Sequence, residues 1–110
     1  MVDAARKIQL YIEGLSFADF TNDDKTFDAV IRQLTVIGEA ASHVPDEIAS
    51  REPNIPWSVI RGMRNIVVHE YFGVDAGIIW KTVVRNIPEL RSQVEKLQQK
   101  LSQEEQTDGP

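Results

Sequence analysis

Apolar residues recur at helical spacing through most of this chain, and nowhere do they alternate with the period of a strand. Residues 2 to about 14 place Ala5, Ile8, Tyr11, Ile12 and Leu15 on one face, with Asp3 as the candidate cap and Gly14 as the C-terminal stop. Ser16 to Asp24 reads as a polar connection that ends in Thr21-Asn22-Asp23-Asp24, several candidate N-caps in succession. From there Phe27, Val30, Leu34, Ile37, Ala41 and Val44 follow at alternating steps of three and four, the seam of a left-handed helical bundle. Gly38 and the Ala40-Ala41 pair keep this helix slim where another crosses it. Pro45-Asp46-Glu47-Ile48-Ala49 predicts one further short turn. Pro53 and Pro56 then hold an extended loop that leads into a helix starting at Trp57.

The helix from Trp57 is predicted to run to Phe72 and to stop at Gly73. At 100° per residue, Val59, Ile60, Met63, Ile66 and Val67 share roughly a third of its circumference, a core-facing stripe. The opposite side carries Arg61, Asn65 and His69 together with Gly62, Val68 and Phe72, while Arg64 and Tyr71 share a flank. A solvated face would carry Lys, Glu and Gln. Apolar and functional groups mixed in this way predict a second packing surface, most simply against a partner chain, with Gly62 allowing close approach. Asp75 is the cap of the last helix, whose apolar positions are Trp80, Val83, Ile87, Leu90, Val94, Leu97 and Leu101. Their phase passes through Pro88 unbroken, so a kink with the axis roughly continued is expected there. The reading is all-α: an antiparallel bundle of four main helices with a short extra turn over residues 1–101, followed by a polar, disordered tail over 102–110.

Composition narrows the function. A chain of 110 residues with 42% hydrophobic and 26% charged residues is an ordinary single globular domain. It has no cysteine and only two histidines, His43 and His69, so no thiolate site and no histidine-built zinc site is expected within one chain. No apolar run approaches the roughly 20 residues that span a bilayer, and the N-terminus lacks the apolar region of a signal peptide, so the cytoplasm is the expected compartment. The net charge of −5 argues against a general nucleic-acid coat, yet the charge is uneven. Residues 57–91 hold five basic side chains (Arg61, Arg64, Lys81, Arg85, Arg91) against three acids, whereas residues 13–56 hold nine acids against three basic ones. An acidic protein with a local cationic patch can still hold RNA at a defined place.

The string Arg64-Asn65-x-x-x-His69-x-Tyr71 resembles the signature of HEPN-domain ribonucleases, specifically the HepT-like toxins of toxin–antitoxin pairs. Val36-Ile37-Gly38-Glu39-Ala40-Ala41, Ile55-Pro56-Trp57, Tyr71-Phe72-Gly73-Val74-Asp75 and Trp80 resemble that family in order and spacing, over residues 5 to 101. The chemistry agrees with the resemblance. Cleaving RNA without a metal requires a base for the 2′-OH, an acid for the leaving 5′-oxygen and a cation for the charged phosphorane. Histidine, titrating near ~6.5, serves as either acid or base, and arginine forks onto phosphate oxygens. One motif supplies one histidine. The resemblance implies a homodimer whose site is built at the interface from two motifs, with Arg64 and His69 catalytic and no cofactor or metal.

The other residues carry alternatives. Asn65, one turn before His69, either fixes the imidazole tautomer or bonds RNA, and we favour the orienting role. Arg61 either binds RNA phosphate or is simply solvated. His69 near a helix end is also what the helix dipole alone would favour. His43, just before Pro45, reads as a surface or capping residue; Trp57 and Trp80 read as core and interface filling; Glu39 matches the family pattern without an assignable role. Tyr71 is by itself an amphipathic aromatic at a helix end. The resemblance makes it the target of adenylylation by a small nucleotidyltransferase antitoxin, whose added phosphate would obstruct an anion-binding site. The expected function is a metal-independent endoribonuclease toxin that acts on RNA. The alternative is a non-catalytic interaction subunit that partners a nucleotidyltransferase.

Overall fold

The computed structural model describes residues 1–65 and 75–107. His69 and Tyr71, together with Ile66, Val67, Val68, Phe72 and Gly73, lie outside the described residues. Every described element is helical: α1 (Val2–Ile12), α2 (Phe17–Thr21), α3 (Asp24–Ser42), α4 (Asp46–Ala49), α5 (Trp57–Gly62) with a 3₁₀ turn at Met63–Asn65, α6 (Ala76–Lys81), a π-helical stretch at Thr82–Asn86, and α7 (Ile87–Thr107). The fold is all-α, as the periodicity predicts, and no described helix is long and apolar enough to cross a membrane.

The core follows the predicted seams. On α3, Val30, Leu34, Ile37 and Ala41 are fully buried; on the last helix Val83, Ile87, Leu90, Val94 and Leu97 join them. α1 adds Ala4, Ala5 and Ile8 and packs on both α3 and α7. Arg91 Nη1 donates to Gln9 Oε1 at 2.7 Å, tying α7 to α1 at their polar edge. Gly14 ends α1 with φ +77°, a left-handed conformation that glycine adopts at no steric cost.

Four features depart from the sequence reading. The connection after Gly14 contains a helix, α2, started by a capping box: Ser16 Oγ accepts from the Asp19 N–H while Asp19 accepts from the Ser16 N–H. The helix is worth forming because it places Phe20 at 0% exposure, stacked near Phe27 and Trp80 with ring centroids 5.4 and 5.2 Å away. The helix from Trp57 does not stay regular, but tightens to 3₁₀ at Met63. Val59, expected in the core stripe, is 67% exposed, because α5 is short and only Trp57, Ile60 and Met63 reach inward. The expected tail at 102–107 is the end of α7, held by the Arg51–Glu104 pair and by Lys100 Nζ on Glu52 Oε1 at 2.7 Å.

Pro88 behaves as expected, and the mechanism is visible. Proline cannot donate to the carbonyl four residues earlier. The chain widens one turn beforehand: the Ile87 N–H bonds Thr82 O, a five-residue step, and Thr82 Oγ1 donates to Ile78 O at 2.9 Å. Pro88 then sits in the first turn of α7, where no N–H is required. The rod continues and its apolar seam keeps phase.

The α2–α3 corner is acid-sensitive. Asp23 caps α3 by accepting from the Thr26 N–H at 3.1 Å and from the Thr26 hydroxyl at 2.7 Å, and these bonds hold its carboxyl below the usual carboxylate range. The Ser16 N–H lowers Asp19 in the same way. A carboxyl lowered in the folded state stabilises above its unfolded value, near ~3.9, and that stability is lost as pH falls through the folded value. Asp23→Ala should therefore lower the urea midpoint at pH 7, and the difference from wild type should shrink between pH 4 and pH 2. A constant difference across that range would refute the assignment.

Candidate functional site

The 3₁₀ turn carrying Arg64 and Asn65 lies directly on α3. A Cβ placed on Gly38 would stand 2.3 Å from the Arg64 backbone nitrogen and 2.9 Å from the Met63 carbonyl carbon. Only glycine permits this approach. Around Gly62, where the sequence suggested close packing, no described atom lies within 4 Å of the corresponding position.

The contact opens a groove between the two elements. α3 supplies Thr35, Val36, Glu39, Ala40 and His43, and the turn supplies Arg64 and Asn65. Both turn residues are exposed, and among the described residues neither side chain has a hydrogen-bond or ion-pair partner. A guanidinium and a carboxamide exposed on this turn, unpartnered among the described residues, are suited to a phosphate and to the groups around it. His43 and Glu39 pair across one helical turn, Nε2 to Oε1 at 3.0 Å. His43 is the exposed capping residue that the sequence suggested, closing α3 as its C-cap, and it also shares the groove with the motif. Spacing alone gave the signal, since Glu39 and His43 are four apart on the helix that Gly38 thins.

Arg61 has a different place. Its Nε donates to Ala41 O at 3.1 Å and its Nη2 to Val44 O at 3.3 Å, with Asp46 Oδ1 at 3.8 Å. These carbonyls stand at the C-terminal end of α3, where helix bonding runs out. Neither sequence alternative for Arg61, phosphate contact or free solvation, describes this geometry; the side chain braces α5 against the end of α3. Trp57 is likewise internal, donating from Nε1 to Glu52 O at 3.2 Å.

No group of three or more potential metal ligands occurs among the described residues. The 1–97 segment matches the family model described as Ribonuclease HepT-like. The chain belongs to the HepT-like ribonuclease family. It is 44% identical over 89 residues to the protein named "Putative RNase TTE0752" of Caldanaerobacter subterraneus subsp. tengcongensis, covering 81% of this chain and 80% of the relative. Identity is 41% over 97 residues to "Probable ribonuclease HepT" of Thermococcus cleftensis, with 88% of each chain covered. A third relative, "Putative RNase MJ1380" of Methanocaldococcus jannaschii, is 33% identical over 95 residues, 86% of this chain and 87% of its own. No solved structure matches the chain. The family resemblance seen in the motif and its flanks is therefore matched along almost the whole length.

The Gly38 contact makes a direct prediction. Alanine is the better helix former by about 1 kcal/mol, so at an open helical site Gly→Ala stabilises. Here the Cβ overlaps backbone that cannot rotate away, and overpacking of this kind costs typically about 1–3 kcal/mol. The clash should win. Gly38→Ala should lower the melting temperature by several degrees, whereas Gly62→Ala should leave it unchanged or raise it; equal effects at the two sites would refute the account.

Proposed function

We propose that this chain is a metal-independent endoribonuclease, the toxin of a toxin–antitoxin pair, working as a homodimer whose composite site is built from two Arg-Asn-x-x-x-His motifs. The observation that carries this reading is the exposed Arg64–Asn65 pair, without a side-chain partner among the described residues, set on a groove four residues before His69 in sequence. Arg64 holds the scissile phosphate and offsets the charge that develops on it. His69 removes the 2′-OH proton, the O2′–P bond forms, and the P–O5′ bond breaks as the second copy's histidine protonates the leaving oxygen. The products are a 2′,3′-cyclic phosphate and a free 5′-hydroxyl. Asn65 orients the imidazole. Arg61, committed to the end of α3, supports RNA binding by keeping the groove in shape.

Support for the dimer comes from the sequence: on the helix that its periodicity predicts, Val68 and Phe72 share a face with Asn65 and His69, which an isolated domain would leave to solvent. A two-fold axis beside that face supplies the second histidine. The reaction draws on arginine and histidine alone, so no cofactor is required.

The expected result is cleavage of single-stranded RNA in excess EDTA, leaving cyclic-phosphate ends, by a protein that sediments as a dimer. His69→Ala should lower the rate by at least about 10²-fold, the lower range for losing an acid–base group, with its helical circular dichroism unchanged. Wild-type protein inert on RNA, yet bound to a nucleotidyltransferase, would establish the interaction-subunit alternative instead.

Tyr71 is the control point in this proposal. It lies two residues beyond His69 and seven beyond Arg64, close in sequence to the arginine and histidine of the motif. A minimal nucleotidyltransferase antitoxin that adenylylates Tyr71 would add a phosphodiester anion beside the arginines meant for RNA. Tyr71→Phe should keep ribonuclease activity and escape silencing by the cognate transferase with ATP. Normal silencing of Tyr71→Phe would refute the assignment, and abolished cleavage would move Tyr71 into the catalytic set.

A further inference from the structure

The α3 wall of the groove contains a carboxylate, which a simple phosphate track would avoid. A like charge beside a bound phosphate is repulsive, and Glu39 stands in the same groove as Arg64 and Asn65. Its presence makes sense if what faces it is not phosphate but a donor-rich edge of the nucleotide.

Thr35, Glu39 and His43 follow one another at steps of four, one row along α3 opposite the Arg64–Asn65 turn. Thr35 is turned inward on itself, its hydroxyl donating to Ile31 O at 3.0 Å. The usable polar group of the row is therefore the Glu39–His43 pair. His43 Nε2 lies 3.0 Å from Glu39 Oε1 and takes one of the roughly four acceptor positions of the carboxylate, fixing its direction while leaving the rest available. Beside the pair, Val36 is 42% exposed and Ala40 lines the groove with it, an apolar surface on which the flat face of an unstacked base can rest.

The four bases present different edges to such a carboxylate. Guanine alone offers two adjacent donors on its Watson–Crick edge, N1–H and the N2 amino group, which match the two oxygens in parallel. Adenine and cytosine each offer one amino donor beside a ring acceptor, and uracil one N–H between two carbonyls. Each of these brings a lone pair against the negative charge.

We propose that the groove reads a guanine next to the cleaved phosphate: Glu39 accepts from N1–H and N2–H, His43 holds the carboxylate as a positioning residue, and Val36 and Ala40 support the base. The proposal rests on the ribonuclease reading above and gives that site its base preference. The groove is then divided by chemistry, with an anion-binding wall on the turn and a base-reading wall on α3.

The test uses the full-length protein, with fluorescent single-stranded oligoribonucleotides that differ at one position as guanine, inosine, adenine, cytosine or uracil. Binding is measured with the His69→Ala protein and cleavage with wild type. Guanine should be preferred by roughly tenfold or more, and inosine, which lacks the N2 amino group, should lose much of that preference. Glu39→Gln exchanges one acceptor oxygen for a donor and should collapse the guanine-to-adenine ratio to within about threefold. His43→Ala should reduce the ratio, and His43→Gln, which restores an N–H donor, should recover part of it. The proposal is overturned if wild type shows no base preference, or if Glu39→Gln lowers all oligonucleotides equally and leaves the ratio intact. A guanine preference in binding without any cleavage would sink the ribonuclease reading and leave this one standing; cleavage without base preference would do the reverse.

Discussion

The site depends on a missing side chain. Met63 and Arg64 run so close to α3 that the space a Cβ would need at residue 38 is filled by their backbone. That approach fixes the height and direction of the 3₁₀ turn, and through it the outward aim of Arg64 and Asn65. Arg61 acts as the second fastening, two residues before Met63, by binding the carbonyls of Ala41 and Val44. One fastening is steric and the other is hydrogen bonding, and both join the same two elements. Each also serves local needs: the arginine adds a donor to the carbonyls of Ala41 and Val44 where helix bonding runs out, and the glycine carries the crossing without breaking α3.

The basic residues divide by partner rather than by position. Arg61 and Arg91 are bound to groups on α3 and α1, and Arg51 to Glu104, so much of the positive charge is committed internally. Exposed ion pairs such as Arg51–Glu104 contribute little to stability, typically about 0–1 kcal/mol; their consequence here is that α7 continues in register along its last turns. Arg64 is left with its charge directed to solvent in a protein of net charge −5. A cation so placed acts at short range, and the acidic surroundings suppress nonspecific association with nucleic acid. An enzyme acting on RNA at one defined groove needs that contrast more than it needs a basic surface.

Long periodic elements were legible in the sequence because the core reads only which face is apolar. The seams of α3 and α7, the stop at Gly14, the cap at Asp75 and the passage through Pro88 all follow from spacing or from one residue's backbone chemistry. Short elements were not legible in the same way. α2 has five residues, too few for a period, and the Ser16–Asp19 box that starts it was passed over. At α5 a regular helical wheel misplaced Val59, since a segment that changes from α to 3₁₀ after six residues has no single repeat. Of the candidate site, the motif named Arg64 and Asn65 as individual residues, and Glu39 by resemblance. Spacing alone places His43 beside Glu39, but that the pair faces Arg64 and Asn65, and that Arg61 is a brace, depended on the angle at which the turn meets α3. Spacing along one chain segment carries no information about that angle.

Met63 anchors the turn on its far side as well. It is 9% exposed and, with Ile60, Ile87 and Leu90, lines the cleft between the turn and the long helix. The turn is thus held between Gly38 of α3 and the apolar seam of α7. In the long helix Val83, Ile87 and Leu90, spaced by four and three, are all buried, and the Ile87-to-Thr82 bond carries the backbone past Pro88, which cannot donate. The buried seam of the long helix and the glycine in α3 thus stand on opposite sides of the turn that presents Arg64 and Asn65 to the groove.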